Sequence, residues 1–212
     1  MEQHFNTPSE VIDTNMKAGE GKAHLPLGKM ILLGIMAGAF IALGGATSST
    51  AAHAIDNVGL ARFVAGIIFP VGLMIIVFVG GELFTGNCLI VMDVVGKKVT
   101  WFECIRNLIV VYFSNLIGAL IIDTLIYFSG NLDYTGGLLG AYAIKVAVGK
   151  VGISPLKGIT SGILCNILVF SSQRFFSTYF LISFISFFIF KVFFEICSSF
   201  NLLFSYFPFT FS

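Results

Sequence analysis

Charge and apolarity fall in long blocks along this chain. The first 29 residues carry most of the early charge: Glu10, Asp13, Lys17, Glu20, Lys22 and Lys29. The run Thr7-Pro8-Ser9-Glu10 reads as a capping box with proline at the first helical position, predicting a short surface helix over about 8–20. No Asp, Glu, Lys or Arg occurs between Met30 and Ile55. That stretch exceeds the roughly 20 apolar residues that cross a bilayer. Small residues recur along it at Gly34, Gly38, Ala42, Ala46, Thr50 and Ala54, a stripe that lets another helix come close. Further apolar segments run over 62–95, 104–128 and from Ser154-Pro155 to about 173, separated by a polar, Gly-rich loop over 129–154. Asn107 and Asn115 share one face of the third span, which also carries Asp123; Gly158, Gly162, Cys165 and Asn166 lie on the fourth. The reading is three parts: a polar segment 1–29, a transmembrane domain 30–169, and a tail 170–212.

The segment 62–95 is too long for one crossing. An unbroken helix of that length would reach about 51 Å, against a hydrocarbon core of about 30 Å. It is interrupted by Gly80-Gly81-Glu82-Leu83-Phe84-Thr85-Gly86-Asn87. Three glycines, an acid and polar side chains predict a helix broken over 80–87. Irregular backbone survives at membrane depth only where protein or a water-filled cavity satisfies it, and such breaks mark transport sites. Glu82 either stitches the break by accepting backbone N–H groups or serves transit itself. Thr85 either caps the second half-helix or donates to an anion. Phe69, Leu73, Leu83 and Phe84 are either packing residues or apolar constrictions of a pore.

Composition narrows the class. Hydrophobic residues make up 57% of the chain and charged residues 11%, where soluble domains hold about 25% charged. This predicts an all-α polytopic membrane protein. A net charge of +1 gives no footprint for nucleic acid. Cys88, Cys104, Cys165 and Cys197 show no metal-ligand spacing and read as reduced, buried small hydrophobes, so no metal or cofactor is expected. No catalytic motif is present, which argues against an enzyme. Lys17, Lys22, Lys29, Lys97, Lys98 and Arg106 outnumber Arg62, Lys145, Lys150 and Lys157 on the other side. By the positive-inside rule the N terminus is cytoplasmic, in a cell (plasma or inner) membrane.

Three motifs, in order, resemble the formate/nitrite transporter family: Phe69-Pro70-Val71-Gly72-Leu73, then Gly81-Glu82-Leu83-Phe84-Thr85-Gly86-Asn87, then Gly162-Ile163-Leu164-Cys165-Asn166-Ile167-Leu168-Val169. Lys22-Ala23-His24-Leu25-Pro26 is also similar, and the resemblance covers about 7–169. It implies six spans in an aquaporin-like bundle with a broken second helix, about four of them recognisable here, a homopentamer, and one pore per subunit. It implies passage of small monovalent anions such as formate, nitrite or hydrosulfide. By motif position Leu83, Phe84 and Thr85 match the breaking loop, with Gly81, Glu82, Gly86 and Asn87 shaping it. Phe69 and Leu73 match pore-narrowing positions, Asn166 and Val169 pore-facing ones, and Lys150 a vestibule lysine.

The tail departs from that pattern. No glycine follows Gly162 and no alanine follows Ala147, while Phe and Ser dominate from Phe170 onward. The family's fifth helix carries a central histidine, whereas the histidines here are His4, His24 and His53. This predicts that residues from about Phe170 are read in a shifted frame, and leaves a non-transporting product as an alternative. A neutral-solute pore of the aquaporin kind would need Asn-Pro-Ala boxes, and Asn-Pro does not occur in the sequence.

Overall fold

The computed structural model describes residues 8–164, apart from the side chains of residues 8–12 and of Lys150. The predicted tail 170–212 and the N-cap Thr7 lie outside the described residues. The first helix, α1 (Pro8–Ala23), starts at the proline, as its fixed φ favours, and runs a turn's length past the expected end. Pro26 then opens α2 (Leu27–Ala52). The next apolar segment begins at Val58, earlier than Arg62, because Asn57 caps it: its side chain accepts the Leu60 N–H at 3.0 Å.

That segment divides twice. Helices α3 (Val58–Ile68) and α4 (Pro70–Val79) meet at Pro70, which has no N–H to continue the ladder. The expected break follows at Gly80, whose φ of 71° is the left-handed conformation that glycine adopts without strain. The Gly81 N–H returns to the Ile76 carbonyl at 2.9 Å and closes a Schellman-type end. The chain resumes in two short pieces, α5 (Phe84–Asn87) and α6 (Ile90–Val95).

Helix α7 (Trp101–Phe128) starts three residues before the expected 104. Thr100 and Glu103 form a complete capping box, the Glu103 carboxylate accepting the Thr100 N–H at 2.9 Å. The expected loop over 129–154 is overturned. Its first part is a turn, with a 3-10 stretch over Asn131–Asp133 and positive φ at Thr135, Gly136 and Gly137. The rest is a helix, α8 (Leu138–Val151), because Leu138 to Val148 is mostly apolar and helix-compatible despite its glycines. A further helix, α9, begins at Pro155, where the sequence placed it, and is described over 155–164.

Among the described residues, three helical stretches are long and apolar enough to cross a membrane: Leu27–Ala52, Val58–Val79 and Trp101–Phe128. Large apolar side chains such as Phe78, Phe102 and Phe128 stand exposed on the outside of the bundle, the inverse of a water-soluble surface. The chain is a membrane protein of all-α architecture with a broken second span.

Helices α2 and α7 pack most closely. A Cβ on Gly118 would overlap the Ile35 backbone carbonyl, and one on Gly38 would overlap the Asn115 backbone. The small-residue stripe holds at Gly34 and Gly38, then drifts: the buried positions further along are Gly44, Ser48 and Ala52, while Ala42 and Ala46 are only half-buried. The drift follows from a change of neighbour. Gly44 and Gly72 bring α2 against α4, a Cβ on Gly72 lying 2.6 Å from the Phe40 carbonyl. Farther along, the Ser48 hydroxyl donates to the Ala65 carbonyl of α3 at 3.2 Å. Helix α1 lies against α6 and α7, with Ala23, Ile90, Val94, Val99 and Cys104 forming a buried cluster. Cys104 is a buried free thiol as expected, Cys88 is half-buried, and Cys165 and Cys197 lie outside the described residues.

Gly118→Leu should therefore prevent the α2–α7 approach and cost about 3 kcal/mol or more, since the clash is with backbone that must move. Gly45→Ala, where none of the described residues lies within 4 Å of the new methyl, should be neutral or slightly stabilising. Apparent Tm in detergent checks both; equal shifts for the two would contradict the packing described.

Candidate functional site

The break opens backbone polar groups that its own helix no longer pairs, and one side chain from α7 bonds two of them and a carbonyl of α2. The Asn115 side-chain oxygen accepts the Phe84 N–H at 2.9 Å. Its amide nitrogen donates to the Gly34 carbonyl at 2.8 Å and to the Glu82 carbonyl at 2.9 Å. Asn115 thus caps α5 from another helix and ties the break to α2. The Glu82 N–H also reaches α2, at the Leu33 carbonyl, 3.3 Å away. Gly81 fits between Ile76 and Ala37, where a Cβ would sit 3.1 and 3.2 Å from their side chains.

A second network lies beneath. The Glu82 carboxylate accepts from the Asn87 amide at 2.7 Å and faces the Lys22 ammonium at 3.4 Å. Lys22 donates to the Asn87 side-chain oxygen at 3.0 Å. Asn87 gives its other amide proton to the Asn107 oxygen at 2.8 Å, and Asn107 donates to the Lys22 carbonyl at 2.9 Å. Asn87 and Asn107 are fully buried and the Glu82 side chain is 6% exposed. The ring joins α1, the break and α7 with one positive and one negative charge, so the buried carboxylate is paired rather than isolated. Arg106, donating to the Ala23 carbonyl at 3.1 Å, and His24, 3.3 Å from the Glu103 carboxylate, fix the end of α1 beside it.

Two expectations change. Glu82 does stitch the break, but through the Asn87 amide and Lys22, since the backbone N–H of Phe84 is taken by Asn115. Thr85 is not the cap of the second half-helix: that position is Leu83, which supplies no capping side chain, and Thr85 lies inside the first turn of α5. Its hydroxyl has no hydrogen-bond partner among the described residues. Gly86 lies beside it, and among the described residues nothing comes within 4 Å of a Cβ there. Phe84 meets Tyr112 of α7 edge-on at 5.5 Å. Phe69 is buried at the α3–α4 junction, and Leu73 and Leu83 are half-buried. The Lys150 side chain and residues Asn166 and Val169 lie outside what the structure describes. Lys22, Asn107 and Asn115 were not singled out as site residues. The eight-residue spacing of the two asparagines on one face was the available signal.

A model of the formate/nitrite transporter family matches residues 9–200. The chain belongs to that family. The match runs past Val169, where the motif resemblance ended, to residue 200. The chain is similar to the formate channel FocA of Haemophilus influenzae, 36% identical over 165 residues covering 77% of this chain and 58% of the channel. It is also similar to a probable formate transporter of Methanothermobacter thermautotrophicus, 37% identical over 127 residues covering 58% of this chain and 46% of that protein. The chain thus spans about half to three-fifths of these relatives. A solved pentameric formate channel with formate bound superposes with a TM-score of 0.72 at 29% identity, covering 84% of this chain and 74% of that one. An ion channel of the same family shares the fold, with a TM-score of 0.78.

Asn115→Leu should leave the Phe84 N–H and the Glu82 carbonyl unpaired and destabilise the protein by about 3 kcal/mol. Thr124→Val, on an exposed face of the same helix, should shift it little. Thermal unfolding in detergent measures both, and an Asn115→Leu variant as stable as wild type would show that the break does not depend on that side chain.

Proposed function

We propose that the chain forms a transmembrane pathway for small monovalent anions of the formate, nitrite or hydrosulfide class. The observation that carries this reading is the pinned break at 80–87. Asn115 and the Lys22–Glu82–Asn87–Asn107 ring hold irregular backbone inside a membrane span, and among the described residues nothing pairs with the Thr85 hydroxyl or fills the space at Gly86. Moving a small anion to the bilayer centre is costly unless donors replace its water. Thr85 supplies one such donor. Phe69, Leu73, Leu83 and Phe84 provide the apolar narrowing around it, with Asn166 and Val169 as pathway positions on the fourth span. Lys150 raises the local anion concentration at the vestibule. Gly81, Glu82, Gly86 and Asn87 shape the break. The assembly is a homopentamer, as in the similar pentameric formate channel. It sits in the cell membrane with its N terminus cytoplasmic, the side richer in Lys and Arg.

Liposome flux of formate against glycerol tests the class: formate flux without glycerol flux is expected, and the reverse would favour a neutral-solute pore. Thr85→Val keeps the shape and removes the hydroxyl. It should lower formate flux at least severalfold, since a hydrogen bond to a charged species contributes about 1.5–3 kcal/mol. Unchanged flux with normal assembly would remove Thr85 from the pathway. Lys150→Gln should lower flux most at low ionic strength, because salt screens beyond about 8 Å at 0.15 M; an equal loss at high salt would contradict steering.

A further inference from the structure

The two sides of α7 differ in the size of their side chains. Cys104, Ser114, Gly118 and Ala119 turn inward and are buried. The outward ridge over the first half of the helix is Phe102, Ile105, Ile109 and Phe113, each more than half exposed. Steps of three, four and four residues place them on one line. Helices that meet inside a membrane do so through small residues, as α2 and α7 do at Gly34, Gly38 and Gly118. The ridge has none, so it suits acyl chains better than another helix. From Phe102 to Phe113 it rises about 16 Å, half of a hydrocarbon core of about 30 Å, which is one leaflet.

A basic turn stands at the head of this ridge. Helix α6 ends at Gly96, and Lys97 takes the left-handed conformation, at a φ of 58°. The backbone of the turn is pinned: the Lys97 N–H bonds to the Val94 carbonyl at 3.0 Å and the Lys98 N–H to the Asp93 carbonyl at 2.9 Å. Both lysines are exposed, and among the described residues neither ammonium has a hydrogen-bond or ion-pair partner. The acids nearest in sequence are engaged or covered. Asp93 is fully buried, and Glu103 closes the Thr100 cap and faces His24. Trp101, the single tryptophan of the chain, lies between the turn and the ridge and is 60% exposed. Tryptophan favours the boundary between headgroups and acyl chains. That boundary sets the two lysines at headgroup level and the ridge in the hydrocarbon.

We propose that this face is a docking site for an anionic phospholipid, its phosphate on Lys97 and Lys98 and its acyl chains along Phe102, Ile105, Ile109 and Phe113. Charge selects the occupant. The two unpaired ammonium groups attract a headgroup with a net negative charge, whereas a zwitterionic headgroup brings a cation of its own. Shape selects against a second copy of the chain, since the ridge offers no small residue for a close helix contact. The site is separate from the anion pathway and does not rest on it.

Trp101 reports from the site itself, because bromine on an acyl chain quenches tryptophan fluorescence on contact. The full assembled chain is placed in phosphatidylcholine vesicles, and brominated phosphatidylglycerol or brominated phosphatidylcholine is titrated in. Phosphatidylglycerol should bind beside Trp101 at least about fivefold more tightly, the scale of one basic residue at an anionic surface. Lys97→Gln combined with Lys98→Gln should bring the two lipids to equal quenching. Lys98→Gln alone should weaken the preference, and it decides the matter if the double variant fails to assemble. Equal quenching by the two lipids in the wild type, or a preference that survives these substitutions, would overturn the proposal. So would a Trp101 that neither lipid quenches, as when another subunit covers it.

Discussion

An unpaired backbone N–H or C=O in a bilayer costs several kcal/mol, so a helix opened at membrane depth needs side chains that replace its missing ladder. The arrangement around residues 80–87 follows from that constraint. Asn115 satisfies the Phe84 N–H and the Glu82 carbonyl together. It can do so because Gly34, Gly38 and Gly118 let α2 and α7 approach until their backbones touch. The close crossing and the break are one design. A bulkier α2–α7 interface would move Asn115 out of reach of Phe84, and the break would lose its cap.

The charges obey the same logic. Glu82 stands at a depth where an isolated carboxylate would be costly. The chain brings Lys22 to it from α1, and Asn87 and Asn107 fill the remaining hydrogen-bonding positions. The amphipathic first helix therefore helps complete the transmembrane domain, and its end is held by Arg106 and His24 as well. Among the described residues, nothing pairs with the Thr85 hydroxyl or fills the space beside Gly86.

Much of this was readable in the sequence, and the reasons are local. Long uncharged runs announced the spans, Pro8 and Pro155 opened helices, and the glycine-rich run located the break. The misreadings have separate physical causes. Thr100 and Glu103 spell a capping box, yet apolarity alone set the start of α7 at 104, past the residues that fold it. The stretch 138–151 looked like loop because its glycines follow the positive-φ turn at 135–137, although its own pattern supports a helix. Thr85 looked like a cap because the usual cap is local, whereas here the acceptor comes from Asn115, 31 residues along. Pairings such as Lys22 with Glu82 are set by tertiary packing, which periodicity within one element does not encode.

The central claim is that the break is a pinned structure held by α1 and α7 together. A double-mutant cycle between Lys22→Met and Glu82→Gln, followed by thermal unfolding of the assembled protein, tests it most directly. Each single change leaves one member of a partly buried pair without its partner. The account predicts that the double variant is less destabilised than the sum of the two, with a coupling of at least about 1 kcal/mol. Strict additivity would mean that Lys22 and Glu82 do not depend on one another, and that α1 has no part in holding the break.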